Sequence, residues 1–209
     1  MRNVYVVVHP ESTHHQDDIV GGWHDSELTP AGTADASAIA EALADRIPRA
    51  AVVEVYSSDL RRAHAVATKI GAAFEVPVVS DPGLREKSYG EAEGRPQSWL
   101  DERFIPPPAT GDRMGHHEGV AGAETKREFA TRIYAAVDRA LASDAEHIVI
   151  VTHGFALTFV VAAWSRLPID ALGYLNLRCS AGSITTLRQD DYFHNRQVVR
   201  LDDVEHLGG

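Results

Sequence analysis

Two stretches of this chain are apolar at every position: Val4-Tyr5-Val6-Val7-Val8 and Ile148-Val149-Ile150-Val151. A strand with one wetted face alternates. An unbroken β-forming run reads as a strand buried on both faces, the habit of a parallel sheet covered by helices. The fold class expected from this is α/β, a three-layer sandwich with a mostly parallel central sheet flanked by helices. Each run leads into a histidine, the first directly into His9 ahead of Pro10-Glu11-Ser12 and the second through Thr152 into His153 ahead of Gly154-Phe155. Ligands of such sheets gather at the carboxyl ends of the strands. Two imidazoles from distant parts of the chain are therefore expected in one site, one to attack a substrate and the other to steady its charge.

A third segment points to the same edge. Val52 to Tyr56 reads as a strand, Ser57-Ser58-Asp59 as a polar turn, and Arg61 to Phe74 as a helix. Ser57, Ser58 or Asp59 is expected to cap that helix, and Arg62 in its first turn to offer a planar fork to two phosphate oxygens. Elsewhere, Thr29 to Ala44 reads as a helix capped by Thr29 with Pro30 at its first position, and Glu124 to Ser143 as a long amphipathic helix. Phe155 to Trp164 reads as a further helix. Val76 to Ser80, Leu175 to Cys179, Ser183 to Arg188 and Arg196 to Leu201 read as strands, with the Ser183 strand alternating and so nearer an edge.

Taken in order, these segments resemble the histidine phosphatase superfamily, the phosphoglycerate mutase-like family. Its opening Arg-His-Gly-Glu/Gln-Thr stands here as Val8-His9-Pro10-Glu11-Ser12, and its Leu-Thr-x-x-Gly as Leu28-Thr29-Pro30-Ala31-Gly32. Its Ser-x-Leu-x-Arg-Ala is matched by Ser58-Asp59-Leu60-Arg61-Arg62-Ala63, and its Leu-x-Glu by Leu84-Arg85-Glu86 with Gly90 following. Val151-Thr152-His153-Gly154 matches the second histidine motif. The resemblance implies that His9 is a nucleophile forming a phosphohistidine. It implies Arg62 as the phosphoryl clamp and His153 as a second hydrogen-bonding histidine. Glu86 becomes the proton donor to the leaving alkoxide and then the base that activates water. An imidazole with a reference pKa of about 6.5 suits the first task, and a carboxyl raised by burial suits the last.

The departures matter too. Val8 stands where the family has an arginine, and removing one such donor is worth roughly 2.7 to 4 kcal/mol of transition-state stabilisation by analogy with an oxyanion-hole deletion. The next loop carries His14, His15 and His24, and His15 falls where the family often has a polar side chain touching the phosphate. Protonated imidazoles at these positions, beside Ser12, are the expected compensation, with activity favouring mildly acidic pH. Pro10 replaces a flexible glycine and pushes His9 toward an extended backbone.

At 209 residues and 44% hydrophobic, the chain is expected to be one domain over residues 1–209. Residues 94–122, rich in proline and glycine, read as an insertion covering the site, with Trp99, Arg103, Arg113 and His116 as candidate substrate contacts. A formal net charge of −10 argues against nucleic acid and anionic membranes as partners, leaving a small phosphorylated substrate held by a local basic pocket. Nothing in the sequence sets the oligomeric state. One cysteine, Cys179, permits no internal disulfide and suits a reducing compartment. No signal-like start and no apolar run near the roughly 18 residues of a bilayer span are present, so the expectation is a soluble cytoplasmic protein. The His14-His15 and His116-His117 doublets lack metal-ligand spacing, so neither a metal nor another cofactor is expected. The resulting expectation is a phosphatase of small phosphomonoesters. The alternatives are an impaired relative that binds a phosphorylated metabolite or partner, and a phosphoglycerate mutase-type phosphotransferase.

Overall fold

The computed structural model describes residues 1–208. The strands are β1 (Arg2–Val8), β2 (Val53–Ser57), β3 (Val78–Ser80), β4 (His147–Thr152), β5 (Ile184–Gln189) and β6 (Arg196–Asp203). The helices are α1 (Thr13–Gln16), α2 (Pro30–Arg46), α3 (Arg61–Phe74), α4 (Gln97–Asp101), α5 (Lys126–Leu141) and α6 (Gly154–Trp164). One six-stranded sheet runs in the order β3-β2-β4-β1-β5-β6. β1, β2, β3 and β4 pair in parallel, while β5 and β6 add antiparallel.

The two apolar runs are the centre of that sheet, and alternation divides them between two cores. Val4, Val6 and Val8 of β1 and Ile148 and Ile150 of β4 face α5 and α6, packing with Phe129, Ile133, Phe159 and Trp164. Tyr5, Val7, Val149 and Val151 face α2 and α3, packing with Ile39, Leu43, Val66 and Ile70. This is the three-layer α/β sandwich. Among the described residues no helix is long and apolar enough to cross a membrane.

Thr29 caps α2 by accepting the Gly32 N–H at 3.0 Å, and its own hydroxyl donates to Glu11 Oε2 at 2.8 Å. Thr125 and Glu128 form a reciprocal capping box at the start of α5. The expected cap of α3 is corrected. Its N-cap is Leu60, without a side-chain cap, and Asp25 accepts the Arg61 N–H at 2.7 Å from 36 positions away. Ser58 is drawn off to His153 and Asp59 to Arg85.

Leu175 to Cys179 is not a strand. It runs unpaired after a 3-10 turn over Ile169–Tyr174, with the Leu177 N–H bonded to the Thr158 hydroxyl of α6 instead of a ladder. β3 is shorter than expected because the Val76 N–H returns to the Gly71 carbonyl at the end of α3. The segment 94–122 carries α4, and Leu100 and Val120 bury against Val20 and Ala92 in a small satellite core.

Gly32 explains its motif. A Cβ there would lie 2.1 Å from the Glu11 carbonyl oxygen, so only glycine lets α2 abut the loop that follows His9. Gly32→Ala is expected to lower the denaturation midpoint in urea by the equivalent of about 1–3 kcal/mol, the usual cost of overpacking a rigid contact. An unchanged midpoint would show that this loop gives way freely.

Candidate active site

The register of the sheet makes the site. Val8 pairs with Thr152, so the next residues, His9 and His153, leave adjacent strands side by side. Their rings lie 5.0 Å apart, edge to face, and both are buried. β2 ends one strand further over, and Ser58 beyond it sits 2.8 Å from His153 Nε2 through its hydroxyl.

Two neighbours settle the proton on His9. Its Nδ1 is 2.8 Å from the Pro10 carbonyl, an acceptor only, so Nδ1 carries the hydrogen. Arg62 Nε donates to Nε2 at 3.2 Å, so that nitrogen carries the lone pair. Burial, and then the Arg62 charge, push the His9 pKa well below the usual imidazole value. The ring is therefore neutral at ordinary pH and held in one tautomer, with its Nε2 lone pair toward Arg62.

Arg62 is 1% exposed, and burial lowers its pKa to about 10, which still leaves it charged at neutral pH. Its Nη2 donates to the Gly22 carbonyl and its Nη1 to the His24 carbonyl, each at 2.7 Å. Between these two residues, Trp23 turns its indole N–H to the Glu86 carbonyl at 2.8 Å. One tripeptide thus ties the guanidinium to the loop carrying the carboxylate.

Glu86 accepts the Lys87 N–H at 2.8 Å and the Phe155 N–H, in the first turn of α6, at 2.9 Å. Burial raises its pKa, opposed by these two hydrogen bonds and by the Arg62 and Arg132 charges. Arg132 of α5 fastens the loop from below. It donates to the carbonyls of Gly83, Arg85 and Glu86 while paired with Glu124 at 2.6 Å.

His9, Arg62, Glu86, Val8, His14 and His15 line one cavity of about 210 Å³. Ser12 lies behind it, its hydroxyl 3.0 Å from His14 Nδ1 and 3.3 Å from His15 Nδ1. His24 contributes its backbone carbonyl to Arg62, while its ring stands against Gly94, away from the lining.

The expected compensation for Val8 by protonated histidines is corrected. Burial, then the neighbouring His15 and Arg62, drive His14 down to about 3, and burial with Arg62 lowers His15 as well. At neutral pH they supply no cation. His15 offers a neutral donor instead, because its Nδ1 accepts the Ser12 N–H at 3.2 Å and its proton must then sit on Nε2.

His153 Nδ1 is buried with no protein partner. Ser58 Oγ accepts the Leu60 N–H at 3.3 Å and lies 2.8 Å from His153 Nε2; in the tautomer where the hydroxyl donates to Nε2, the His153 hydrogen is on Nδ1. Among the described residues, no three His, Cys, Asp or Glu side chains are grouped to hold a metal ion.

Sequence reasoning missed Trp23, Asp25, Ser58 as the His153 partner, and Arg132. Ser58 lies within a motif that was read. The other three act through long-range contacts that leave no local signal.

Comparison with known proteins places the chain in a family. The model of the histidine phosphatase superfamily (branch 1) matches residues 4–203. The chain is 31% identical over 213 residues to the "probable phosphoglycerate mutase GpmB" of Proteus mirabilis, covering 99% of this chain and 95% of that protein. A mycobacterial glucosyl-3-phosphoglycerate phosphatase, solved with VO3, superposes with a TM-score of 0.77 at 25% identity, covering 98% of this chain and 100% of that one. The α-ribazole phosphatase of Shigella flexneri shares the fold, with a TM-score of 0.77 at 20% identity over 96% of each chain. With the family pattern running almost end to end over a parallel sheet that sets His9 beside His153, the chain belongs to the histidine phosphatase superfamily.

Proposed function

We propose that this protein hydrolyses small phosphomonoesters through a phosphohistidine at His9. The observation that carries the reading is the neutral His9, its Nδ1–H tied to Pro10 and its Nε2 lone pair held in the same cavity as Arg62 and Glu86. Nε2 attacks phosphorus, and the bond from phosphorus to the ester oxygen breaks. The Glu86 carboxyl gives its proton to that oxygen, releasing an alcohol. The Glu86 carboxylate then takes a proton from water, which attacks phosphorus. The N–P bond breaks, the lone pair returns to His9, and phosphate leaves.

Arg62 and the Nδ1–H of His153 are assigned to the phosphoryl oxygens, with His15 Nε2–H as a further neutral donor, and His14 and Ser12 hold His15 in place. Residues 1–209 form one catalytic domain in this reading, working in the cytoplasm, and 94–122 is the insertion that meets the leaving group. Hydrolysis is favoured over transfer between two positions of a retained substrate because the walls are open to water. Tyr174, at the mouth beyond the phosphoryl cavity, is 67% exposed.

The pH dependence follows from two opposite requirements. His9 attacks only when unprotonated, and its depressed pKa keeps it so as pH falls through 6.5. Glu86 donates only while protonated, and its raised pKa holds the proton above the usual 4.5 until pH rises through the raised value. kcat/KM for an alkyl phosphate is therefore expected to keep its value down through pH 6.5 and to fall toward alkaline pH, and Glu86→Gln to flatten the alkaline limb. An acid limb at or above 6.5 in the parent would rule out the buried neutral nucleophile.

His9→Ala is expected to abolish turnover of 4-nitrophenyl phosphate, with chelator making no difference to the parent. Glu86→Gln should release one equivalent of nitrophenolate in a burst and then turn over slowly, since that leaving group needs no proton but water still needs a base. Rapid-quench detection of acid-labile phosphoprotein reads both steps, and its absence from the parent and the glutamine variant alike would overturn the phosphohistidine route.

Val8→Arg is expected to raise kcat/KM by about 10-fold, short of the about 100 to 1,000 of one preorganised donor because the added guanidinium would be buried beside Arg62. Steady-state kinetics on a well-folded variant checks it. A loss of activity would mean that Val8 is required as apolar packing.

A further inference from the structure

A second cavity, of about 510 Å³, adjoins the phosphoryl cavity, the two sharing Gly154 and Cys179 in their walls. It has the size of a pocket for a sizeable organic group. One side is aromatic, with Phe104 from the 94–122 segment, Phe155 from α6 and Tyr174. The other feature is charge. Arg113, Lys126 and Arg178 line it against a single carboxylate, Glu118, and Glu118 is already paired with Lys87 at 2.6 Å. In a chain of net charge −10 this is a local reversal of sign.

The three cations are not equally free. Lys126 Nζ donates to the carbonyls of Leu172, Gly173 and Leu175 at 2.9 to 3.2 Å. Arg113 donates to Gly173 and Pro108 carbonyls and lies 4.5 Å over the Tyr174 ring. Arg178 makes no hydrogen bond or ion pair among the described residues. It sits on the unpaired stretch Leu175–Cys179, one residue before the cysteine that borders both cavities.

Resting on the phosphatase reading, we propose that this chamber selects phosphomonoesters whose organic part is bulky and flat and carries a second anionic group, which pairs with Arg178. The aromatic walls take the flat portion by stacking, and the guanidinium takes a carboxylate by paired N–H···O bonds. The substrate class is thus distinct from a neutral alkyl phosphate. Because Arg178 is exposed, its contribution is screened by salt.

Binding by calorimetry of three phosphonates, which cannot be hydrolysed, reads the chamber without relying on turnover. These are methylphosphonate, naphthylmethylphosphonate and a carboxynaphthylmethylphosphonate. Affinity is expected to rise in that order, the carboxylate adding at least 10-fold at low ionic strength and less as salt is raised. In Arg178→Gln the carboxylate advantage should fall to about onefold while naphthylmethylphosphonate binds as before, and Tyr174→Ala and Phe104→Ala should weaken both naphthyl compounds but not methylphosphonate. Equal affinity of the two naphthyl compounds in the parent, or an advantage that survives Arg178→Gln, overturns the proposal. Hydrolysis of naphthyl phosphate by the parent, run alongside, tests the phosphatase reading separately. Turnover without the carboxylate preference sinks only the chamber, and the preference without turnover sinks only the reaction.

Discussion

The parallel pairing of β1 with β4 is the constraint on which the rest of the site depends. A one-residue slip would turn Val4, Val6 and Val8 from the α5–α6 core to the α2–α3 core and separate the two histidines. Both strands are buried on both faces, so every position would pay for the slip, and the register is fixed by packing far from the chemistry. His9 and His153 stand 5.0 Å apart because nine buried apolar side chains, Val4 to Val8 and Ile148 to Val151, fix the alignment of their strands. The main chain then does the finer work. The Pro10 carbonyl chooses the His9 tautomer, and the Gly22 and His24 carbonyls hold the Arg62 fork.

Much of this was legible because it rests on local patterns. The apolar runs announced β1 and β4, Thr29-Pro30 announced α2, and the polar turn before Arg61 announced α3. His9, Arg62, Glu86 and His153 come together because each follows an element that the pattern places at one sheet edge. The rest was hidden for identifiable reasons. Leu175 to Cys179 has the composition of a strand, but its Leu177 N–H finds the Thr158 hydroxyl of α6 and its Leu175 N–H the Leu172 carbonyl, not a neighbouring strand, a tertiary outcome that propensity does not encode. The α3 cap comes from Asp25 because the nearer candidates are bound elsewhere. The His14 and His15 pair looks cationic in sequence, and only the burial of His14 beside Arg62 and a second imidazole reveals that it is neutral.

Arg132 and Trp23 show how a half-exposed loop is made rigid without a core. The Glu86 carbonyl receives both the indole N–H and a guanidinium N–H, and Arg85 and Arg132 lie 4.9 and 5.5 Å from the indole ring centroid. Each contact is modest alone. Together they restrict the loop so that the carboxyl end of Glu86 is positioned by hydrogen bonds from two backbone N–H groups, which also moderate the effect of burial on its pKa.

Val8 is best understood through the face it occupies. Its side chain belongs to the α5–α6 core, where it packs among Leu84, Ile150 and Leu157 and still reaches the cavity wall. An arginine in that place would need a buried guanidinium next to Arg62, two like charges in a space of about 210 Å³ whose only lining carboxylate is Glu86. The valine removes that repulsion and its desolvation cost, and with them one attraction for the phosphoryl group. Positive charge is instead concentrated next door, on Arg113, Lys126 and Arg178 around the larger chamber. On the proposed phosphatase reading, phosphoryl binding and leaving-group binding draw on the same substrate, so cations placed around the second chamber and not at position 8 shift the basis of recognition. A site so arranged gains less from a bare phosphate and more from what the phosphate is attached to.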